Sequence, residues 1–187
     1  NNPSFEESIG NIKIKYIEST GYKNNISLSR VIDHLLIAKN FKKQSKLEAR
    51  PDVIICSWPP IELAYEAFIY AQKRNIPFIL DVRDLWPDVI YDTFNNNFIL
   101  KKLVNLFLNY EKKMKQCMQN ADALISVSEK VMNWAYLRSG RSKKSPSHIS
   151  NLSSINLSEI SFKGQGVEKK FNDIGVFNDE TVTRIIF

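Results

Sequence analysis

The chain has 187 residues, 43% of them hydrophobic and 25% charged, which is typical of one globular domain with a substantial core. Its two cysteines give no disulfide framework, no apolar run is long enough for a membrane span, and no metal-ligand spacing is present. The net charge of +6 fits an anionic partner such as a nucleic acid, a phospholipid surface or a phosphorylated substrate, and it equally fits an ordinary basic protein. The polar, acidic start of the chain predicts no signal peptide, and cysteines without a disulfide framework predict a reducing, cytoplasmic setting.

The first predicted elements are a strand and a helix. Residues 11–17 alternate apolar and charged side chains, as a half-exposed or edge strand does. After a loop at residues 21–25, Ser27 or Ser29 can cap a helix. Its apolar face carries Leu28, Val31, Ile32, Leu35 and Leu36.

Strands and helices then alternate. Three short apolar runs predict buried strands, at residues 52–57, 78–82 and 124–127. Helical patterns separate and follow them: an apolar stripe from Ile61 to Ile69, a long helix over 98–118, and a helix over 129–139 that ends at Gly140. This order predicts an α/β fold, a Rossmann-like three-layer parallel sheet with helices on both faces.

Polar and aromatic side chains follow each predicted strand. Ser57 and Trp58 end the first strand, and Arg83, Asp84 and Trp86 follow the second. Ser126, Ser128 and Glu129 end the third. Because the carboxyl ends of parallel strands lie along one edge, where ligands bind, we expect these side chains to converge on one crevice.

The last part of the chain has a different character. Residues 138–170 are rich in Ser, Lys and Asn and weakly periodic, which predicts a loop or linker. Residues 181–187 have the pattern of a strand.

These strings resemble a known family. The order PDVIICSWPP, IPFILDVRDLWPD, a long basic helix and ADALISVSE is similar to the N-terminal domain of family 4 glycosyltransferases of the GT-B type. The resemblance is nearest to bacterial O-antigen and capsule enzymes related to fucosaminyltransferases. The RDLWP string is fairly specific to that group, and the last string is common across the family. Tyr22 to Asn25 and Arg30 are similar to a loop-to-helix segment near the acceptor side.

The resemblance implies two Rossmann-like domains facing across a cleft, an N-terminal one for the acceptor and a C-terminal one for the nucleotide sugar. We expect residues 1–140 to form the acceptor-binding domain without its first strand and glycine-rich loop, 141–180 a partly irregular linker, and 181–187 the start of the C-terminal domain. The family's paired donor-site glutamates are absent, so the chain is expected to be a fragment of the enzyme that is inactive alone.

The implied reaction moves a sugar from a nucleotide sugar to a lipid-linked saccharide acceptor in cell-surface polysaccharide synthesis. It needs no cofactor or bound metal, because cationic side chains and helix N-termini stabilise the phosphates. The acceptor would place the protein at the inner face of the cell membrane. The lysines of the long helix either form a solvated face or contact anionic lipid: Lys101, Lys102, Lys112, Lys113 and Lys115.

Asp84 is the candidate catalytic residue, which would orient the acceptor hydroxyl or take its proton. The alternative is that Asp84 pairs with Arg83 or caps the next turn. Arg83 suits a phosphate of donor or acceptor, and it suits equally a structural pair with Asp81 or Asp88.

The remaining candidates for substrate binding are Ser57, Trp58, Trp86, Ser128 and Glu129. Either indole can stack on a sugar or fill the core, and we favour a cleft position for Trp58 and packing for Trp86. Capping is the main role expected of Ser128 and Glu129.

Neither His34, on a mostly apolar helix face, nor His148, in the predicted linker, is assigned to catalysis.

Two other functions compete with the transferase. A non-catalytic module that binds a glycan or a lipid phosphate accounts for the missing donor residues. A nucleic-acid-binding protein accounts for the charge, but the basic residues are scattered and match no recognised nucleic-acid motif.

Overall fold

The computed structural model describes residues 4–10, 12–24, 27–89, 102, 108–141 and 147–149, the last three by their backbone. The elements in chain order are β1 (Phe5–Ile9), β2 (Ile12–Tyr16), α1 (Leu28–Gln44), β3 (Ile54–Trp58), α2 (Ile61–Arg74), β4 (Phe78–Val82), α3 (Tyr110–Asn120), β5 (Ala123–Ser126), α4 (Glu129–Ser139) and β6 (Ser147–Ile149).

Strands β3, β4 and β5 and the short β6 form one parallel sheet in that spatial order. The three strands predicted from apolar runs are confirmed, with ends shifted by at most two residues. The register places Trp58, Val82, Ser126 and Ile149 in one row across the sheet. The strand ends therefore do converge on a single edge, as predicted, and we call it the carboxyl edge.

The core lies between the sheet and its helices. Cys56, Leu80 and Leu124 share one row of the register and join the core cluster with the buried faces of α2, α3 and α4. Strands that are neighbours in this sheet are also consecutive in the chain. Since crossovers between parallel strands are right-handed, the helices that connect them lie on the same face of the sheet. Ile79 and Ile125, on the opposite face, are also buried. Each fully buried aliphatic side chain contributes roughly 1.5–3 kcal/mol.

Local sequence signals set the helix ends. Ser27 caps α1 by accepting from the Arg30 N–H at 3.2 Å, and Ser128 caps α4 by accepting from the Val131 N–H at 3.3 Å. Gly140 ends α4 with a φ of 68°, a conformation that glycine adopts without steric cost. These findings confirm the capping predictions and select between the serines that the sequence left open.

The single helix predicted over 98–118 is wrong in one respect. Asn109 has a φ of 52°, in the left-handed region, so the helix is interrupted there and α3 begins at Tyr110. Asparagine tolerates this conformation better than most residues, whereas apolar periodicity continues through such a break unchanged. Residues 98–101 and 103–107 lie outside the described residues.

Residues 11–17 do contain the predicted exposed strand, but its pairing was not foreseen. β2 pairs antiparallel with β1 in a separate two-stranded sheet. The Phe5 and Tyr16 rings stack with centroids 4.0 Å apart, and Lys13 Nζ lies 2.8 Å from Glu6 Oε1 on the other side of the hairpin. An alternating pattern identifies a strand without identifying its partner.

The predicted linker contains an unexpected strand. Ser147–Ile149 extends the sheet as β6, parallel to β5 and with His148 beside Ile125. Three residues are too few to show a period-two pattern, so pairing with β5 is what identifies this strand. Residues 142–146 and 150–187, including the strand predicted at 181–187, lie outside the described residues. Within the described ranges, no helix has both the length and the hydrophobicity to cross a bilayer.

Candidate functional site

The turn after β4 crosses the carboxyl edge and is held by Trp58. The Trp58 carbonyl accepts from the Arg83 N–H at 3.0 Å, and the Trp58 indole N–H donates to the Trp86 carbonyl at 2.9 Å. Trp58 has 0% exposure, so it has no face to offer a sugar. The cleft position expected for Trp58 is therefore replaced by a supporting one, because its indole lies on the core side of the sheet.

Arg83 and Asp84 lie at the carboxyl edge, each in a local contact. Arg83 Nε donates to Asp81 Oδ2 at 2.6 Å, while 57% of the Arg83 side chain is exposed. Asp84 is half-buried, and its Oδ1 accepts from the Leu85 N–H at 2.7 Å. These are the pairing and turn-capping contacts named as alternatives, and they leave the Arg83 guanidinium accessible to a ligand.

The other predicted residues lie at the ends of two strands, Ser57 in β3 and Ser128 and Glu129 just after β5. Ser57 is half-buried beside Asp81 in the register. Ser128 is occupied as the cap of α4, and Glu129 is exposed in the first turn of the same helix. The structure thus brings the N-terminus of α4 to the carboxyl edge, as expected from the row that contains Ser126.

A cation between two aromatic rings lies beside these residues. The Arg30 guanidinium carbon lies 4.2 Å from the centre of the Trp86 ring and 5.4 Å from that of Tyr22. Buried Asp33 holds the Tyr22 loop in place, since its Oδ1 accepts from the Gly21 N–H at 2.7 Å and from the Thr20 hydroxyl at 3.0 Å. Trp offers the most favourable ring for a cation–π contact, and Arg is the cation that most often makes one.

A buried histidine and glutamate lie beneath Arg30. His34 Nε2 accepts from Arg30 Nε at 3.4 Å, and His34 Nδ1 lies 3.6 Å from Glu62 Oε2. His34 thus meets Arg30 through Nε2 and the Glu62 carboxylate through Nδ1. The Tyr110 hydroxyl donates to the other oxygen, Glu62 Oε1.

These residues form one group, which we call the Arg30 cluster: Tyr22, Arg30, His34, Glu62, Trp86 and Tyr110. Among the described residues, three of its buried polar atoms have no hydrogen-bond partner: His34 Nδ1, Glu62 Oε2 and Trp86 Nε1. An unsatisfied buried polar group costs about 1–3 kcal/mol, and native proteins contain few of them. Two of these atoms, His34 Nδ1 and Glu62 Oε2, face each other at 3.6 Å, so they form an ion-pair contact longer than a hydrogen bond.

An ion-pair network supports the turn that carries Trp86. Asp88 Oδ2 accepts from the Trp134 indole N–H at 2.8 Å and from Arg138 Nε at 3.2 Å, and Arg138 Nη2 contacts Asp88 Oδ1. Arg138 Nη1 also reaches Glu111 Oε2 at 3.2 Å. The turn after β4 is therefore attached to α3 and α4 as well as to Trp58.

The two cysteines take no part in this chemistry. Burial raises the pKa of the Cys56 thiol to about 12, with a smaller contribution from the Asp81 carboxylate, and burial also raises the pKa of Cys117. A thiol is nucleophilic only as the thiolate, so neither cysteine is an activated nucleophile. The described residues contain no group of three His, Cys, Asp or Glu side chains placed to hold a metal ion.

The sequence placed Tyr22 and Arg30 near the acceptor side by resemblance and gave Trp86 as a candidate. It did not assign His34, Glu62 or Tyr110 to the site. Arg30 and His34 are four positions apart on one helix, a spacing that places them on the same face and was available as a signal. Glu62 in the first turn of α2 has the pattern of an ordinary favourable charge at a helix N-terminus. Its 2% exposure depends on how α1 packs against α2, which local pattern does not report.

The described residues form an α/β domain with a parallel sheet, an arrangement consistent with a Rossmann-like fold, and cationic and aromatic side chains lie at its carboxyl edge. Comparison of the chain with protein-family models, curated proteins and solved structures finds no match.

Proposed function

We propose that this chain is the acceptor-binding domain of a GT-B glycosyltransferase, an enzyme that moves a sugar from a nucleotide sugar to a lipid-linked saccharide in cell-surface polysaccharide synthesis. The observation that supports it best is Arg30 over Trp86 at the carboxyl edge, next to buried polar atoms without partners. A lipid-linked saccharide presents a diphosphate and sugar hydroxyls, and an arginine with nearby polar and aromatic side chains suits both.

The proposed roles follow from accessibility. Arg30 and the exposed Arg83 guanidinium bind the diphosphate of the acceptor. One carboxylate oxygen of Asp84 is held in the turn, and the carboxylate orients the acceptor hydroxyl. As the hydroxyl oxygen attacks the sugar and the nucleoside diphosphate leaves, Asp84 receives the hydroxyl proton. The His34–Glu62 pair holds Arg30 from below. The nucleotide sugar is bound mainly by the second domain that the family resemblance implies.

The test is direct binding of a water-soluble, short-chain prenyl diphosphate saccharide to the chain, measured by titration calorimetry. We expect saturable binding that weakens at least tenfold in Arg30→Ala, because one charge-assisted contact to phosphate is lost. Trp86 fluorescence should respond to the ligand in the wild type.

Arg74 provides a matched control. Its guanidinium carbon lies 4.8 Å from the Tyr70 ring at the opposite end of α2, so Arg74→Ala removes a comparable cation–π contact far from the carboxyl edge. Binding in Arg74→Ala should equal that of the wild type. A folded wild-type chain that does not bind the saccharide, or equal weakening in both variants, contradicts the proposed function.

A further inference from the structure

The outward side of α1 carries an apolar ridge. Leu28, Ile32 and Leu35 are 82%, 58% and 43% exposed, and they are spaced four and three residues apart. This spacing places all three on one stripe of the helix, along its N-terminal half. Single exposed apolar residues are normal on a protein surface, whereas an aligned, largely exposed set of three marks a contact surface.

The same stripe continues as a row of lysines. Lys39, Lys42 and Lys43 follow Leu35 at helical spacing, all exposed, and Lys46 is exposed just beyond the helix. Lys42 pairs with Glu66 at 3.0 Å, but Asp33, the one acidic residue within α1, is buried on the inner side. The outward side of α1 is thus apolar in its first half and positively charged in its second, and its nearest ion-pair carboxylate, Glu66, belongs to α2.

We propose that this side of α1 docks the protein on an anionic phospholipid bilayer, with the apolar ridge in the acyl boundary and the lysines at the headgroups. Charge complementarity favours a bilayer over a protein partner. Protein interfaces are enriched in Trp, Tyr and Arg and depleted in Lys, whereas aliphatic side chains beside lysines are typical of interfacial helices.

The docking orients the candidate site. Arg30 lies in the first turn of α1, on the side opposite the ridge, and it contacts Trp86 at the carboxyl edge. Insertion of Leu28 and Ile32 therefore holds Arg30 about one helix diameter, roughly 10 Å, above the inserted face. If the proposed function holds, the diphosphate of a membrane-embedded acceptor extends about that far from the inserted face to reach Arg30; this last step alone rests on that function.

The test is flotation of the chain with vesicles of phosphatidylcholine alone and of phosphatidylcholine with 30% phosphatidylglycerol. We expect binding to the anionic vesicles only, reduced at least tenfold in Leu28→Gln/Ile32→Gln/Leu35→Gln and at least threefold in Lys39→Gln/Lys43→Gln. High salt should weaken the lysine contribution. Glutamine is a good helix former, so these exposed changes should leave the thermal midpoint of unfolding unchanged.

Two control variants locate the surface. Leu137→Gln removes an 84% exposed leucine from α4, and Lys112→Gln/Lys115→Gln removes exposed lysines from α3; both should float like the wild type. The proposal is overturned if the wild-type chain does not bind anionic vesicles, if the α3 variant alone loses binding, or if the ridge variant floats normally. It is also overturned if the ridge variant converts a dimer to a monomer in sedimentation, since the ridge would then be a self-association surface. Vesicle binding without saccharide binding leaves the docking intact and contradicts the proposed function alone.

Discussion

His34 Nδ1 and Glu62 Oε2 face each other 3.6 Å apart in the interior, between α1 and α2. Neither atom has a hydrogen-bond partner among the described residues, and both side chains are almost completely buried. Because this contact joins α1 to α2, it couples the position of α1, which carries Arg30, to that of α2.

This coupling is measurable by a double-mutant cycle. We expect Glu62→Gln to destabilise the fold by about 1–3 kcal/mol, because the Tyr110 hydroxyl loses a charged acceptor. Combined with His34→Gln, the cycle should give an interaction energy of about 0.5–3 kcal/mol by urea unfolding. Glu66→Gln, on the same helix but paired with exposed Lys42, is the control and should cost under about 1 kcal/mol. Strict additivity of the His34 and Glu62 changes contradicts the pairing.

Arg138 should contribute measurably to stability, because it pairs with two carboxylates. Arg138→Met removes contacts to both Asp88 and Glu111, on side chains only about a quarter exposed, and we expect a loss of about 1–3 kcal/mol. Because Asp88 also binds Trp134, the fluorescence of that indole should shift in the variant. The exposed pair broken by Lys42→Met should cost under about 1 kcal/mol, and equal losses in the two variants would argue against the network.

The buried thiol of Cys56 should make the fold sensitive to alkali. The unfolded thiol releases its proton above its ordinary pKa of 9.0, whereas the folded thiol keeps it to about 12, so the unfolded state binds fewer protons in that window. The contribution of Cys56 is complete below pH 9.0 and is lost as pH rises toward 12, with a slope of about 1.4 kcal/mol per pH unit. The stability difference between the wild type and Cys56→Ala should show this slope.

Other alkaline groups titrate in both proteins and cancel in that difference. The stability difference between the wild type and Cys117→Ala should also fall as pH rises, because burial raises the pKa of Cys117 too. A pH-independent difference from pH 9 to 12 for Cys56→Ala means that the thiol is not held protonated in the folded chain. Native cysteines should also react with a thiol reagent only after unfolding.

Asn109 distinguishes the interrupted helix from the continuous one. In a continuous helix, Asn109→Ala stabilises and Asn109→Gly destabilises, because alanine is the best helix former and glycine a poor one. With Asn109 at a φ of 52°, the order reverses: Asn109→Gly should be neutral or slightly stabilising, and Asn109→Ala should cost about 1 kcal/mol. Thermal unfolding of the two variants decides between these outcomes.

Sequence pattern was sufficient wherever a signal is local. Strand β4 has the predicted bounds, and Ser128 and Gly140 bound α4 as predicted, because apolar runs and caps depend on residues within one or two turns. The same reasoning failed at Asn109 and at Ser147–Ile149, where a single backbone conformation or three residues carry the information.

The same distinction between local signals and tertiary packing applies to the candidate site. The sequence by itself determined that the polar strand ends meet at one sheet edge, since a parallel sheet aligns the carboxyl ends of its strands. Only the tertiary structure decided that Trp58 is buried, that Arg30 lies on Trp86, and that His34 faces Glu62. Those contacts join residues from different elements, and they depend on how α1, α2 and the turn after β4 pack together rather than on any spacing along the chain.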